Sequence, residues 1–178
     1  MTIKELLNNY VNQKKEPRKI GRYWATDIQA IKKGTLTPKN FFEDRIIDEK
    51  GIGMILVGSA MEKELQEIFD FNKVKVQYQN KYEIPIDKDI ILVVKPDFEF
   101  DNFVIETKFP FTDIQDTIPD RYFYQLEAEY RATQKDVYLG ILEVPFNLRL
   151  LQYTPSVERW LEIQDILIQF HKQLKNLS

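Results

Sequence analysis

Three side chains in one short stretch carry charge that a hydrophobic hairpin has no use for: Asp97, Glu106 and Lys108, within KPDFEFDNFVIETKF at 95–109. If Asp101 and Asn102 form the two-residue loop of a hairpin, Phe100 faces Phe103 and Asp97 comes directly opposite Glu106. Directly opposed residues hold their Cβ atoms roughly 4.5–5.5 Å apart on one sheet face. Side chains alternate along a strand, so Lys108 shares the face of Glu106, while Phe98, Phe100, Phe103 and Ile105 fall on the other and read as core. Two opposed carboxylates cost the hairpin up to roughly 1 kcal/mol. A divalent cation removes the conflict, since Mg²⁺ takes hard oxygen ligands and often uses only one or two carboxylates. On a solvated strand face the charges would simply splay apart. The apolar run ILVV at 91–94 argues instead for a buried, central strand nearby.

Composition narrows the chemistry further. The chain has 178 residues, 43% of them hydrophobic and 13% aromatic, which suits a single domain with a sizeable core. It has no cysteine, which excludes disulfides, thiolate zinc and cysteine-held iron–sulfur clusters. Its single histidine, His171, excludes a histidine-built zinc site and reads as a surface or boundary residue without a role. Carboxylates are left as the chemists. The N-terminal MTIKELLNNYVNQKK is polar and amphipathic, unlike a signal peptide, and no apolar run approaches a membrane span. The expectation is an intracellular, cytoplasmic protein without a membrane partner, in the host cytoplasm if the source is viral. Net charge is −3, yet residues 1–39 carry nine basic against three acidic side chains, leaving the remainder acidic by nine. A basic lobe on an acidic body suits a protein that grips a polyanion and holds a cation; an ordinary solvated helical surface would look the same.

The elements that must position these residues follow from periodicity. Residues 3–14 read as an amphipathic helix, ATDIQAIKKG as a helix closed at Gly34, and Thr37-Pro38 as the start of another. GIG at 51–53 reads as a loop, followed by a helix from about Ser59 to Phe71 with Met61, Leu65, Ile68 and Phe69 on one face. Strands are expected at 74–79 and 89–94, then the hairpin, a helix over 120–133, strands VYLGILEV and LRLLQY, and a long final helix after Thr154-Pro155. The pattern is α/β (α+β), a central mixed sheet flanked by helices. A helical N-terminal layer (1–50), a core (51–153) and a C-terminal helix (154–178) form one domain.

Pro96-Asp97, then Glu106-Thr107-Lys108 after eight residues, resembles the PD-(D/E)xK signature of metal-dependent nucleases. More narrowly it resembles the RecB-like branch and the CRISPR-adaptation exonucleases, over roughly residues 58–144. The resemblance implies a restriction-endonuclease-like core and a metal held by Asp97, Glu106, the backbone carbonyl of Thr107 and an acidic residue of the preceding helix. Glu62, four residues after Gly58, stands where relatives often carry a histidine ligand, although Ser59-x-x-Glu62 also reads as a capping box. Glu64 is the weaker candidate for the same place. Relatives carry a QxxxY-like pair on the helix after the hairpin. Gln125 matches, but the residue four on is Glu129, and Tyr130 lies about 140° from Gln125 around the helix. Gln125 is therefore carried over as a substrate-binding residue, Tyr130 only weakly, and Arg22 with Arg18 and Lys19 as phosphate-binding candidates.

The four cysteines that hold an iron–sulfur cluster in many relatives are missing, so the flanks must pack through residues such as Trp24, Phe41, Phe42, Trp160 and Phe170. What the resemblance implies is an Mg²⁺-dependent deoxyribonuclease, with Mn²⁺ able to substitute. It would act on single-stranded or duplex DNA ends in recombination or repair, with a homo-oligomer as a further expectation. Lys108 would orient or deprotonate the attacking water, or stabilise the pentacovalent phosphorus. Aromatics beside basic residues, at 22–24 and 120–124, would stack on unpaired bases or else belong to the core. Two alternatives share the fold: a DNA-binding or assembly module that does not cut, and a restriction- or junction-type endonuclease.

Overall fold

Apolar runs bounded by turns build the centre of the molecule. A computed structural model of the chain describes residues 5–7, 9–10, 16–43, 47–109, 116–143 and 147–177. Strands β1 (Arg22–Trp24), β3 (Tyr82–Asp87) and β4 (Ile90–Val94) form a three-stranded sheet in the order β1-β4-β3, with β1 parallel and β3 antiparallel to β4. Strands β2 (Gln77–Tyr78), β5 (Phe98–Glu99), β6 (Phe103–Lys108), β7 (Asp136–Glu143) and β8 (Asn147–Gln152) form a five-stranded mixed sheet in the order β2-β5-β6-β7-β8. The α-helices with both ends among the described residues are α1 (Ile28–Lys32), α2 (Glu49–Phe71), α3 (Phe123–Thr133) and the long C-terminal α4 (Val157–Lys175). The expected mixed α/β architecture is present, its strands divided between two sheets.

The hairpin has the expected register. Phe98 pairs with Ile105 and Glu99 with Val104, and Phe100 N donates to Phe103 O at 2.8 Å across the Asp101-Asn102 loop. β6 then pairs in parallel with β7 through the crossover helix α3, placing Glu106 beside Leu139. Flanked on both sides, β6 is buried from Val104 to Thr107. One core cluster packs Tyr23, Ile28, Phe41 and Leu92 against Ile163, Leu167 and Phe170 of α4; the other joins Val104, Val137, Leu139 and Ile141 to Leu126 of α3.

Several local expectations are corrected. The segment GIG is helical: α2 begins at Glu49, where the Asp48 side chain accepts from Gly51 N at 2.7 Å. An aspartate N-cap is worth about 1 kcal/mol, enough to offset one helical glycine. Ser59 therefore lies in mid-helix, and the capping-box explanation of Glu62 falls away. Thr37-Pro38 starts only a 3₁₀ turn, Pro38–Asn40, closed by reciprocal Thr37–Asn40 bonds. The strand expected at 74–79 shrinks to two residues, while β1 and β3 were not foreseen. β3 contains Pro85, which suits an edge strand. Phe42 and Ile68 are exposed rather than packed, and Phe100 and Phe103 are half-buried and stacked on each other at 4.4 Å. His171 is buried, with Nδ1 2.8 Å from the Tyr23 hydroxyl. The helix expected over 3–14 falls partly outside the described residues; 5–7 and 9–10 are helical.

Gly21 fixes the approach to β1. Its φ is +80°, and a Cβ there would lie 2.4 Å from Asp89 O, while its own carbonyl accepts from Ile91 N at 2.7 Å. Gly21→Ala is expected to destabilise the fold by about 2–3 kcal/mol, measurable as a lower urea midpoint at unchanged slope.

Candidate active site

Four chain segments meet at the hairpin's open end. Asp97 follows Pro96 between β4 and β5, and its Oδ2 accepts from Thr107 N at 2.7 Å and Thr107 Oγ1 at 2.6 Å. Glu106 is buried on β6, and its Oε1 accepts from the Lys108 ammonium two residues on, on the same strand face. Glu106 Oε2 is buried and has no hydrogen-bond partner. Glu62 of α2 is half-buried and close enough to Glu106 for the two charges to interact, whereas Glu64 is exposed. From α3 comes Glu129, wholly buried, with neither carboxylate oxygen bonded.

Charge crowding shows in the proton affinities. Burial raises Asp97, and the neighbouring Glu106 and Glu62 add to it, pushing its carboxyl to about 8. Glu62 is raised by burial and then by Glu106. Glu129 is raised well above the carboxylate range, by burial first and then by Glu106. Burial pulls the Lys108 ammonium down, but Glu106 and Asp97 reverse this and hold it above its usual range. Lys108 is thus a fixed cation, which favours orienting and charge-stabilising roles over proton abstraction.

The sign of the Asp97 shift gives a pH prediction. The folded chain keeps a proton on Asp97 that the unfolded chain loses near pH 4, so folded stability falls as pH rises from about 4 to about 8. The metal-free protein is expected to show a falling Tm across that window, and Asp97→Asn to flatten the fall, in calorimetric scans.

These residues fit a hard divalent cation. The donors are carboxylate oxygens, and the buried, unbonded Glu106 Oε2 is an acceptor with nothing to accept from. Among the described residues no three acidic or histidine side chains form a ready-made cage. Mg²⁺ does not need one, because it keeps several waters and binds through one or two carboxylates plus phosphate.

The remaining candidates lie farther out. Gln125 lines an open cleft of about 350 Å³ with Gln29, Lys33, Arg121 and Tyr122. Tyr122 links that cleft to the site, its ring centroid 5.6 Å from Lys108 Nζ. Tyr130 packs against the Val104–Leu126 core. Arg22 makes a two-pronged ion pair with Glu83 at 2.5 and 3.0 Å and lines a separate cleft with Lys19, Trp24 and Lys81. The basic N-terminal lobe is partly neutralised in this way, with Arg18 on Asp27 and Lys32 on Glu162. Sequence reasoning met Glu129 only as the residue that breaks the QxxxY pattern. Its spacing of four from Gln125, one helical turn along the same face, was the available signal.

No family model matches the sequence, and no curated protein matches it. Solved structures do resemble it. The crystal structure of SSO0001 aligns over 95% of this chain and 87% of its own, with a TM-score of 0.70 and 12% identity. An alkaline exonuclease from Laribacter hongkongensis, LHK-Exo, aligns over 88% of this chain and 89% of its own, with a TM-score of 0.63 and 12% identity. The complex of LHK-Exo with dAMP gives the same figures. At such identity the likeness is one of architecture: this chain shares the mixed α/β fold of that alkaline exonuclease, with the hairpin carboxylates and Lys108 set within it.

Proposed function

We propose that the protein is a metal-dependent deoxyribonuclease of the RecB-like kind that hydrolyses phosphodiester bonds at DNA ends, in recombination or repair in the cytoplasm. The observation that carries the reading is the juxtaposition of Asp97 and Glu106 on the hairpin, with Glu106 Oε2 buried and unbonded, Lys108 bonded to Oε1, and Glu62 of α2 near enough for its charge to act on both carboxyls. The exonuclease fold supports it. Asp97, Glu106, Glu62 and the Thr107 carbonyl would hold the ion, Mg²⁺ or Mn²⁺. When bound, such an ion supplies a water of lowered pKa and neutralises charge on the phosphate.

The chain's own residues do the rest. Thr107 N and Oγ1 fix one Asp97 oxygen, so its other oxygen is presented in a set direction. Lys108, held charged by Glu106 and Asp97, lies where it can orient the attacking water and stabilise the developing phosphorane charge. Tyr122 and Gln125, beside Arg121 and Lys33, line the cleft into which a strand leaving the site would run.

End-labelled single- and double-stranded DNA incubated with Mg²⁺, Mn²⁺ or EDTA tests the reading. Cleavage with either metal and none with EDTA is expected, releasing products from the ends. Binding of DNA without cutting in any metal would identify a non-cleaving assembly module instead. Cutting of circular or junction DNA would move the reading to an endonuclease.

A further inference from the structure

Two carboxylates of α3 are wholly buried, and the structure treats them in opposite ways. Glu127 is fully partnered: Arg131 Nε donates to Oε1 at 2.8 Å, and the Tyr153 hydroxyl and Ser156 N donate to Oε2 at 2.6 and 2.8 Å. Glu129, two residues on, receives no amide, hydroxyl or ammonium donor on either oxygen; the group it meets is a second carboxyl, that of Glu106, with which it can share only a proton. The other buried carboxylates show how this chain ordinarily handles such groups. Glu99 accepts from Lys135, Tyr82 and Asn80, and Asp27 from Arg18. Among the described residues, the buried carboxylate oxygens without a partner are Glu106 Oε2 and both oxygens of Glu129. Glu129 also lies against Glu106, with Asp97 and Lys108 close enough to act on its charge.

A buried carboxylate with no donor is costly unless paired or ligating a metal. Its nearest cation, Lys108, is already engaged by Glu106. Glu62, Asp97, Glu106 and Glu129 together bring four carboxyl groups to one ammonium, more oxygen donors than Lys108 can satisfy and the kind of donor a divalent cation takes. Helix α3 packs on the sheet through the Val104–Leu126 core, and Glu129 lies against Glu106 of β6.

We infer that Glu129 is a ligand of the divalent cation, contributed by α3 and acting together with Glu106, so that the metal centre draws on the crossover helix as well as on α2 and the hairpin. This rests on the nuclease reading for the existence of the cation site. It makes α3 part of the centre: binding the ion ties the helix that carries Gln125 and adjoins Tyr122 to the strand that carries Glu106 and Lys108.

Mn²⁺ titration of the full chain, followed by the electron paramagnetic resonance signal of the free aquo ion, tests this without reference to cleavage. Glu129→Gln, which keeps the shape and removes the charge, is expected to weaken Mn²⁺ binding roughly 10–100-fold. In the same samples, the rise in Tm that Mn²⁺ gives the parent protein is expected to shrink in the variant, while the metal-free Tm holds or rises. Unchanged Mn²⁺ affinity in a folded Glu129→Gln protein overturns the inference and leaves the nuclease reading standing. Absence of Mn²⁺ binding by the parent protein overturns both. Should Glu129→Gln not fold, Glu129→Asp keeps the charge on a shorter stem and is expected to lose affinity as well; equal affinity there overturns the inference.

Discussion

Glu106→Ala is expected to lower kcat for metal-dependent DNA cleavage about 10³-fold or more, equivalent to roughly 4 kcal/mol of transition-state stabilisation. Three losses coincide at this residue. The site loses Oε2, a buried oxygen that receives no donor and is free to accept a cation. Lys108 loses the carboxylate that fixes its ammonium, so its orientation relaxes. Asp97, Glu62 and Glu129 lose a like charge, which relieves part of what raises their proton affinity. The fold itself should tolerate the change, because removing one of several crowded carboxylates lessens repulsion. The expected outcome is a well-folded protein that binds end-labelled DNA, binds Mn²⁺ weakly and does not cut. Single-turnover assays with saturating Mn²⁺ separate weakened metal binding from lost chemistry. Retention of parental kcat by the variant would remove Glu106 from the mechanism.

Glu127→Ala is expected to be the most damaging substitution for stability, costing about 3–5 kcal/mol. The carboxylate is wholly buried and joins three donors from three places: Arg131 on its own helix, the Tyr153 hydroxyl after β8, and Ser156 N at the N-cap of α4. Truncation leaves the Arg131 guanidinium and two further donors without their acceptor, and opens a cavity in the wall between α3 and β8. Tyr153 is itself bonded by Arg159 at 2.5 Å, so the loss extends to the start of α4. Urea unfolding should show a large drop in midpoint for Glu127→Ala and a smaller one for Glu127→Gln, which keeps one acceptor oxygen. The contrast with Glu129→Gln is the diagnostic one. Two substitutions two residues apart on α3 are expected to act on different quantities, fold stability for Glu127 and metal affinity for Glu129.

The hairpin was legible because period-two alternation and a two-residue Asp-Asn loop leave a single register, and that register alone brings Asp97 opposite Glu106. Lys108 followed from the same alternation. The start of α2 was not legible. Two glycines at 51 and 53 outweigh an aspartate cap when propensities are read locally, and only the whole helix, packed over the hairpin by Phe69 against Phe98 and Phe100, reverses the balance. The three-residue β1 was invisible for a related reason. Its Arg22-Tyr23-Trp24 acquires strand geometry from pairing with β4, a partner 69 residues away at Ile91.

By itself, the sequence determined which side chains are available for the proposed chemistry: carboxylates and one lysine on the hairpin, with cysteine absent and histidine confined to one position. It also determined the hairpin that holds Asp97 and Glu106 together, since register is a local consequence of turn and alternation. Tertiary structure decided which carboxylates join them. Glu62 rather than Glu64 is half-buried and acts on the charge of Glu106, and Glu129 rather than Glu127 is left without a donor because Arg131, Tyr153 and Ser156 converge on Glu127. Burial and partnership are properties of the packed chain, and a carboxylate becomes a candidate ligand only where packing removes water without supplying another donor.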